Sequence, residues 1–366
     1  MKTTERRSDD ARPTRRPEHR ARNRPRRAAI VAPGIPLLFL SLATPAALLA
    51  AAPTARQAPE PDVAFTIPLP DMIPEGIAYD SSARAFYVGS TYRRSVWRVD
   101  ANLPDSEPAE LIAGGVHGLW GVVGMRVDHT RRLLWLASSH AGEGMPMADM
   151  DPALEGSTGL FAFDLGSGAL RHRAVLDGPG FLNDVTVAAD GSVYVTDSRS
   201  RRIFRYADGP ELEPFLDLGG YGSPNGLDLT PDGAFLFVAV GPRIVRIDMA
   251  SHDVLEIARD STTAGLIDGL YVAGGSLVVV QPWVEGRYVT RIDLDGSMSA
   301  ILGEEPLLVA HPALEQPTTG AIVGRDVYVI ANSHLQTFRR MWSDGAPGES
   351  ASLSVPTVLR VPVVAG

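Results

Sequence analysis

Pro224-Asn-Gly-Leu-Asp-Leu-Thr-Pro-Asp-Gly-Ala-Phe-Leu-Phe-Val238 reads as two short strands joined by a tight turn. Leu227 and Leu229 alternate with polar neighbours, Pro231-Asp-Gly233 has turn chemistry, and Ala234 to Val238 is apolar and β-prone. The same phrase recurs along the chain. Strands open at Gly76-Ile-Ala-Tyr-Asp80, Gly124-Met-Arg-Val-Asp128, Asp184-Val-Thr-Val187, Gly226-Leu-Asp-Leu229, Gly269-Leu-Tyr-Val272 and Gly320-Ala-Ile-Val323, each followed by a second apolar run such as Leu133 to Leu136 or Ser276 to Val280. The openings lie 48, 60, 42, 43 and 51 residues apart. Several units add a third strand ending near Asp, as in Val96-Trp-Arg-Val-Asp100 and Ile244-Val-Arg-Ile-Asp248. Repeats of this size, with three or four strands each, predict an all-β, six-bladed β-propeller over residues 61–366 with a central channel. No comparable helix-period stretch interrupts it. Val63 to Leu69 and Thr357 to Val364 are strand-like pieces left over at the two ends, and pairing one into the other terminal blade would remove an exposed sheet edge.

Of the 366 residues, 45% are hydrophobic and 21% charged, and none is Cys. Disulfides, thiolate metal sites and a cysteine nucleophile are thereby excluded. The net charge of -9 conceals two opposed parts. Residues 1–29 hold 11 basic and 4 acidic side chains, and the rest holds 23 basic and 39 acidic ones. So acidic a body does not suit a phosphate backbone, and no nucleic-acid partner is expected. Arg26 and Arg27 precede an uncharged stretch from Ala28 to Ala52 that ends in small residues. Residues 1–60 therefore read as a leader with a signal peptide, on a twin-arginine route or otherwise, which places the body in the periplasm or outside the cell. An uncleaved membrane anchor is the alternative, since the stretch is about long enough to span a bilayer. Once the leader is removed, no stable membrane partner is expected.

The residue just before each strand opening is Glu75, Val123, Asn183, Asn225, Asp268 and Thr319. In a propeller these equivalent positions ring one mouth of the channel. Any one of the pairs Asn-Gly, Asp-Gly or Asn-Asp is an ordinary turn on its own. Two carboxylates and two amides in register, however, offer hard oxygen ligands on a rigid frame, which suits Ca²⁺ better than Zn²⁺ or copper.

Pro74-Glu-Gly-Ile-Ala-Tyr-Asp80, Leu182-Asn-Asp-Val185, Pro224-Asn-Gly-Leu-Asp-Leu-Thr-Pro-Asp-Gly233 and Ile267-Asp-Gly-Leu270 together resemble the metal-site signatures of the senescence-marker-protein/gluconolactonase family. Its superfamily includes paraoxonase and diisopropylfluorophosphatase. The resemblance covers most of residues 62–338. It implies a propeller with Ca²⁺, or another divalent cation such as Zn²⁺, Mn²⁺ or Mg²⁺, at the channel mouth, hydrolysing lactones, esters or phosphotriesters. Glu75, Asn225 and Asp268 match the family's metal positions, and Asn183 matches a fourth, a metal ligand in some members and a substrate contact in others. Asp268 is the expected general base or nucleophile. Paraoxonase-like members carry a catalytic His where this chain has Val123, a departure from their histidine dyad. His140 resembles the other histidine of that dyad and is the second catalytic candidate, with a polar loop residue as the alternative.

Asn332-Ser-His334 occupies the corresponding exit in the last blade, making Asn332 a candidate substrate contact beside Asn183 and His334 a site or second-metal candidate. Trp120, Trp283 and Tyr221 are placed to roof a pocket. Met145, Met147 and Met150 in the long insertion from Ala141 to Thr158 would either join them or pack on a neighbouring loop. No Gly-x-Ser-x-Gly elbow, His-Glu-x-x-His or phosphate-binding Gly loop is present, so serine-hydrolase, zinc-protease and nucleotide chemistry have no motif here. The expected function is an exported, metal-dependent hydrolase acting on small-molecule lactones or esters. The alternative is a metal-stabilised propeller that binds a ligand or protein without turnover.

Overall fold

Short alternating strands broken by Gly, Pro and Asp cannot each bury a face alone, so they pair edge to edge and then stack face to face. The computed structural model describes residues 61–69, 71–259, 265–282, 288–345 and 352–363. The expected leader at 1–60, the roof candidate Trp283 and the terminal Val364 lie outside the described residues. The strands form six four-stranded antiparallel sheets. Their first strands are Pro74–Asp80, Gly121–Asp128, Leu182–Val187, Pro224–Leu229, Leu270–Ala273 and Gly320–Val323, the six openings read from the sequence. Each first strand touches those of the two neighbouring blades, which closes the ring. The architecture is a six-bladed β-propeller.

Five blades are simple meanders. The sixth is composite: Gly320–Val323, Asp326–Ile330 and Thr357–Pro362 supply three strands, and Asp62–Thr66 adds the outermost one. Asp62 lies opposite Arg360 and Thr66 opposite Thr357, so the two leftover pieces meet as expected.

Six clusters of buried apolar side chains hold the blades together, one between each adjacent pair. The cluster that closes the ring joins Phe65, Ile330 and Val358 of the last blade to Ile77, Phe86 and Val88 of the first. Phe86 is its hub, with ring centroids 5.1 Å from Phe65, 4.7 Å from Tyr79 and 4.7 Å from Tyr328. Arg132 adds a polar tie between the first two blades, donating to both oxygens of the buried Asp80 at 2.7 and 2.6 Å.

One element departs from the all-strand reading. Leu335–Ser343 is a nine-residue helix between the second and third strands of the sixth blade. Only Phe338 is buried from it, its ring edge-on to Tyr92 of the first blade at 4.8 Å. So short a helix leaves one apolar repeat in the sequence, too little to stand out from the alternation around it.

The closure cluster makes a direct prediction. Phe86→Ala should cost about 3–5 kcal/mol, the usual penalty for emptying a buried aromatic site. Chemical denaturation of the purified variant measures it, and a loss below about 1 kcal/mol would mean that the ring is not held shut at this interface.

Candidate metal centre

The positions expected to ring the channel are set apart by their backbone. In the first four blades the pairing register slips between Pro74 and Ile77, Val122 and Met125, Leu182 and Val185, and Pro224 and Leu227. Glu75, Val123, Asn183 and Asn225 sit in those irregular steps. A bulge of this kind frees a residue from the ladder and re-aims its side chain. In the last two blades Asp268 and Thr319 stand just ahead of the first strand. The Asp268 N–H donates to Val280 O at 2.8 Å, and Ile330 N–H donates to Thr319 O at 3.0 Å. Thr318 and Thr319 hydroxyls both donate to the Glu75 carbonyl, pinning the first blade to the sixth.

Glycine next to these residues follows from crowding. A Cβ on Gly226 would lie 2.5 Å from the carbonyl oxygen of Asp268, and one on Gly124 would lie 2.5 Å from Cα of Asp184. The Gly226 N–H uses this closeness to donate to Asp268 O at 2.9 Å, a direct backbone bond between blades four and five.

The structure brings Glu75, Asn225 and Asp268 together. Glu75 is 8% exposed and Asp268 7%. Asn225 Nδ2 donates to Asp268 Oδ1 at 2.9 Å, which fixes the amide orientation and leaves its oxygen free. That Asn225 Oδ1 and Glu75 Oε2 are both buried and have no hydrogen-bond partner among the described residues. Burial, reinforced by the charges of Asp268 and Asp184, holds the Glu75 carboxyl well above the usual carboxylate range. Burial likewise pushes Asp268 up to about 7, the Asn225 hydrogen bond opposing and the Asp184 charge adding to the push. Buried acceptor oxygens without donors, beside carboxylates that resist ionising, form a cage short of positive charge. Hard oxygen donors of this kind fit a divalent cation. Among the described residues no group of three His, Cys, Asp or Glu side chains is placed to hold a metal, so a cation here depends on amide oxygen as well.

Asn183 stands apart from that contact. Its Nδ2 donates to Ser198 Oγ at 2.9 Å, and Ser198 Oγ donates in turn to Pro224 O at 2.6 Å. The residue beside it, Asp184, is the site member that sequence reading missed. It belongs to the opening strand, as the sequence indicates, and is the single opening residue that is not glycine. Its carboxylate accepts from the N–H groups of Val185 at 2.9 Å and Leu227 at 3.3 Å. Burial lifts it to about 6, against the pull of Arg126. Arg126 is paired with Asp228 further along the channel, and Asp184, Arg126, Tyr271 and Thr319 line a cavity of about 90 Å³ there.

His140 and Asn332 are each held by backbone contacts of their own. His140 is 1% exposed, receives the Gly142 N–H on Nδ1 at 3.1 Å, and faces the Asp151 carbonyl through Nε2 at 3.0 Å. Both ring nitrogens thus hold the 141–158 insertion in shape. Asn332 is 2% exposed and accepts the Thr357 N–H at 2.6 Å, tying the last blade internally. Of the roof candidates, Trp120 packs edge-on to Phe161 at 6.1 Å within the cluster between blades one and two, and Tyr221 packs against the cluster between blades three and four. Met145 and Met147 are buried, and Met147 Sδ accepts the Gly121 N–H at 2.9 Å, so the insertion packs onto the second blade.

No family profile matches the sequence, and no curated protein does. Solved structures do match. A gluconolactonase from Xanthomonas campestris is 18% identical, with a TM-score of 0.51 over 82% of this chain and 87% of that one. A PQQ-bound aldose sugar dehydrogenase from Streptomyces coelicolor is 17% identical, with a TM-score of 0.55 over 83% and 99%. A virginiamycin B lyase from Staphylococcus aureus is 17% identical, with a TM-score of 0.52 over 73% and 80%. The chain thus shares its propeller fold with a lactonase, a dehydrogenase and a lyase, a likeness of architecture that leaves the reaction to be argued from the site.

Proposed function

We propose that the chain is a divalent-cation-dependent hydrolase of lactones or related small esters. The observation that carries this reading is the pair of buried oxygens, Glu75 Oε2 and Asn225 Oδ1, without a partner among the described residues and beside the Asp268 carboxyl. The fold shared with a gluconolactonase supports it. Glu75, Asn225 and Asp268 would hold the ion, with Ca²⁺ first and Mg²⁺, Mn²⁺ or Zn²⁺ as alternatives, and Asn183 lies one blade away. Such an ion supplies Lewis-acid polarisation of a substrate carbonyl.

The chain's own residues do the rest. Asp268 takes the proton of the water that attacks the carbonyl carbon, and Asn225 fixes the carboxylate's orientation through its 2.9 Å hydrogen bond. Burial of Glu75 and Asp268 keeps bulk water from dispersing the charge that develops during attack. A second reading, a ligand-binding propeller without turnover, is favoured by one observation: His140 has both ring nitrogens engaged in backbone contacts of the 141–158 insertion. Export belongs to the proposal through residues 1–60, and N-terminal sequencing that finds the mature protein starting between Ala50 and Asp62, with the residues before it removed, would support it.

A panel of lactones and aryl esters, assayed with and without EDTA, separates the two readings. Activity should vanish on chelation and return with Ca²⁺. Asp268→Asn, which keeps an oxygen ligand but removes the base, should lower kcat by roughly 10²–10⁴-fold while Ca²⁺ still raises the melting temperature. Metal-induced stabilisation with no turnover on any substrate would leave the binding module standing.

The raised carboxyls give a pH dependence with a definite sign. A proton on Asp268 favours the folded, metal-free protein, so that stability is fully present below the unfolded carboxylate pKa of about 4. It is lost as pH rises through the folded value of about 7. In EDTA, the melting-temperature difference between Asp268→Asn and wild type should therefore grow in favour of the variant from about pH 5 to 8. Ca²⁺ affinity should weaken over the same range as pH falls. A pH-independent difference would refute the assignment of Asp268 to a cation-deficient cage.

A further inference from the structure

Beyond the channel, the sixth blade holds a second cluster, built from loops distant in sequence. Ser354 is exposed, and its Oγ lies 3.2 Å from Nε2 of His334. His334 is 1% exposed, and its Nδ1 lies 3.2 Å from Oε2 of Glu315. Among the described residues Nδ1 has no hydrogen-bonded partner, and a small rotation of the half-exposed Glu315 side chain would align the carboxylate with it. Glu315 is itself held by the Thr337 hydroxyl, which donates to Oε1 at 3.1 Å from the helix.

Asn332 limits what can reach the ring. Its Oδ1 accepts the Thr357 N–H at 2.6 Å and its Nδ2 donates to Val355 O at 3.0 Å, which fixes which end of the amide is which. The same Nδ2 lies 3.1 Å from His334 Nε2 and 3.0 Å from Ser354 Oγ. The two Nδ2 hydrogens are taken by Val355 O and Ser354 Oγ, which leaves the Nε2 lone pair to the serine, while the Glu315 carboxylate 3.2 Å from Nδ1 draws the ring proton to that side. Ser354 Oγ can then accept from Asn332 and donate to Nε2. The competing contact is Ser354's own carbonyl, 3.0 Å from Nε2, which would claim a proton there and leave the hydroxyl inert.

The geometry points to a second, metal-independent acyl-transfer centre in which Ser354 is the nucleophile, His334 the base, and Glu315 and Asn332 the positioning residues. Nucleophile, base and acid joined in this order are recognised by their arrangement and not by sequence order. The substrate class is small esters able to reach an exposed serine. Ser354 Oγ bonds to the ester carbonyl carbon as its proton passes to His334 Nε2. The bond from that carbon to the leaving oxygen breaks, and the alcohol departs with the proton from Nε2. Water then attacks the acyl-serine by the same route and releases the carboxylic acid. The Val355 N–H, next after the nucleophile and without a hydrogen bond among the described residues, is the donor placed for the oxyanion.

This centre neither uses nor requires the channel cation, so its test is run in EDTA. The full-length protein is treated with a fluorophosphonate probe, and the modified residue is mapped by mass spectrometry. Labelling should fall on Ser354, disappear in Ser354→Ala, and slow by roughly 10²-fold or more in His334→Gln. Glu315→Gln should slow it and Glu315→Asp restore part of the rate, a rescue that a purely structural role would not give. If His334→Gln fails to fold by circular dichroism, the exposed Glu315 pair carries the test instead. No adduct on Ser354 in the folded wild type, or an adduct whose rate ignores both His334 and Glu315, overturns the proposal. Either result leaves the chelation assay on the channel site unaffected.

Discussion

Six backbones converge on one axis, and the space there does not admit a side chain from every strand. Wherever the first strands approach most closely, a Cβ would meet the neighbouring blade's main chain at about 2.5 Å, as at Gly124 and Gly226. Glycine at those points lets the ring close, and the irregular steps beside it rotate the preceding residue off the ladder. Closure and site construction are therefore one event. The six apolar clusters between blades supply the energy that holds the ring at this spacing.

Convergence also has an electrostatic cost. Glu75, Asp268 and Asp184 come from three different blades, and burial raises the proton affinity of all three, with the Asp184 charge adding to it at Glu75 and Asp268 and the Asp268 charge adding to it at Glu75. Arg126 offsets part of that on the Asp184 side, where it is itself committed to Asp228. On the Glu75 side nothing comparable is present among the described residues, and two acceptor oxygens go unpaired. Native interiors seldom tolerate such an imbalance without a functional reason.

The fold was legible because its signal is repeated. Glycine-led strands at a period of 42 to 60 residues name the blades even where single strands are ambiguous. The convergence of Glu75, Asn225 and Asp268 was legible for the same reason, since register along the repeat translates into proximity around the axis. Asp184 is hard to see in the sequence because it occupies, within a correctly placed strand, the slot that glycine fills elsewhere. His140 was visible as a polar residue at a strand exit, but its contacts with Gly142 and Asp151 depend on how the insertion folds back. Glu315, His334 and Ser354 share no motif. They meet only because the helix Leu335–Ser343 and the closing strand return to the same edge of the blade, a loop geometry that no periodicity encodes.

The composite sixth sheet has a consequence for biosynthesis. Asp62 and Arg360 stand at opposite ends of the folded chain's sequence yet occupy facing positions on adjacent strands. The blade they complete has to wait until the Thr357–Pro362 segment has left the ribosome, while the edge of the Asp62–Thr66 segment goes unmatched. Contacts of such long range make ring closure a late, slow step in folding. During that interval the nascent chain carries an open strand edge, and shielding it is a task for chaperones until the last strand arrives.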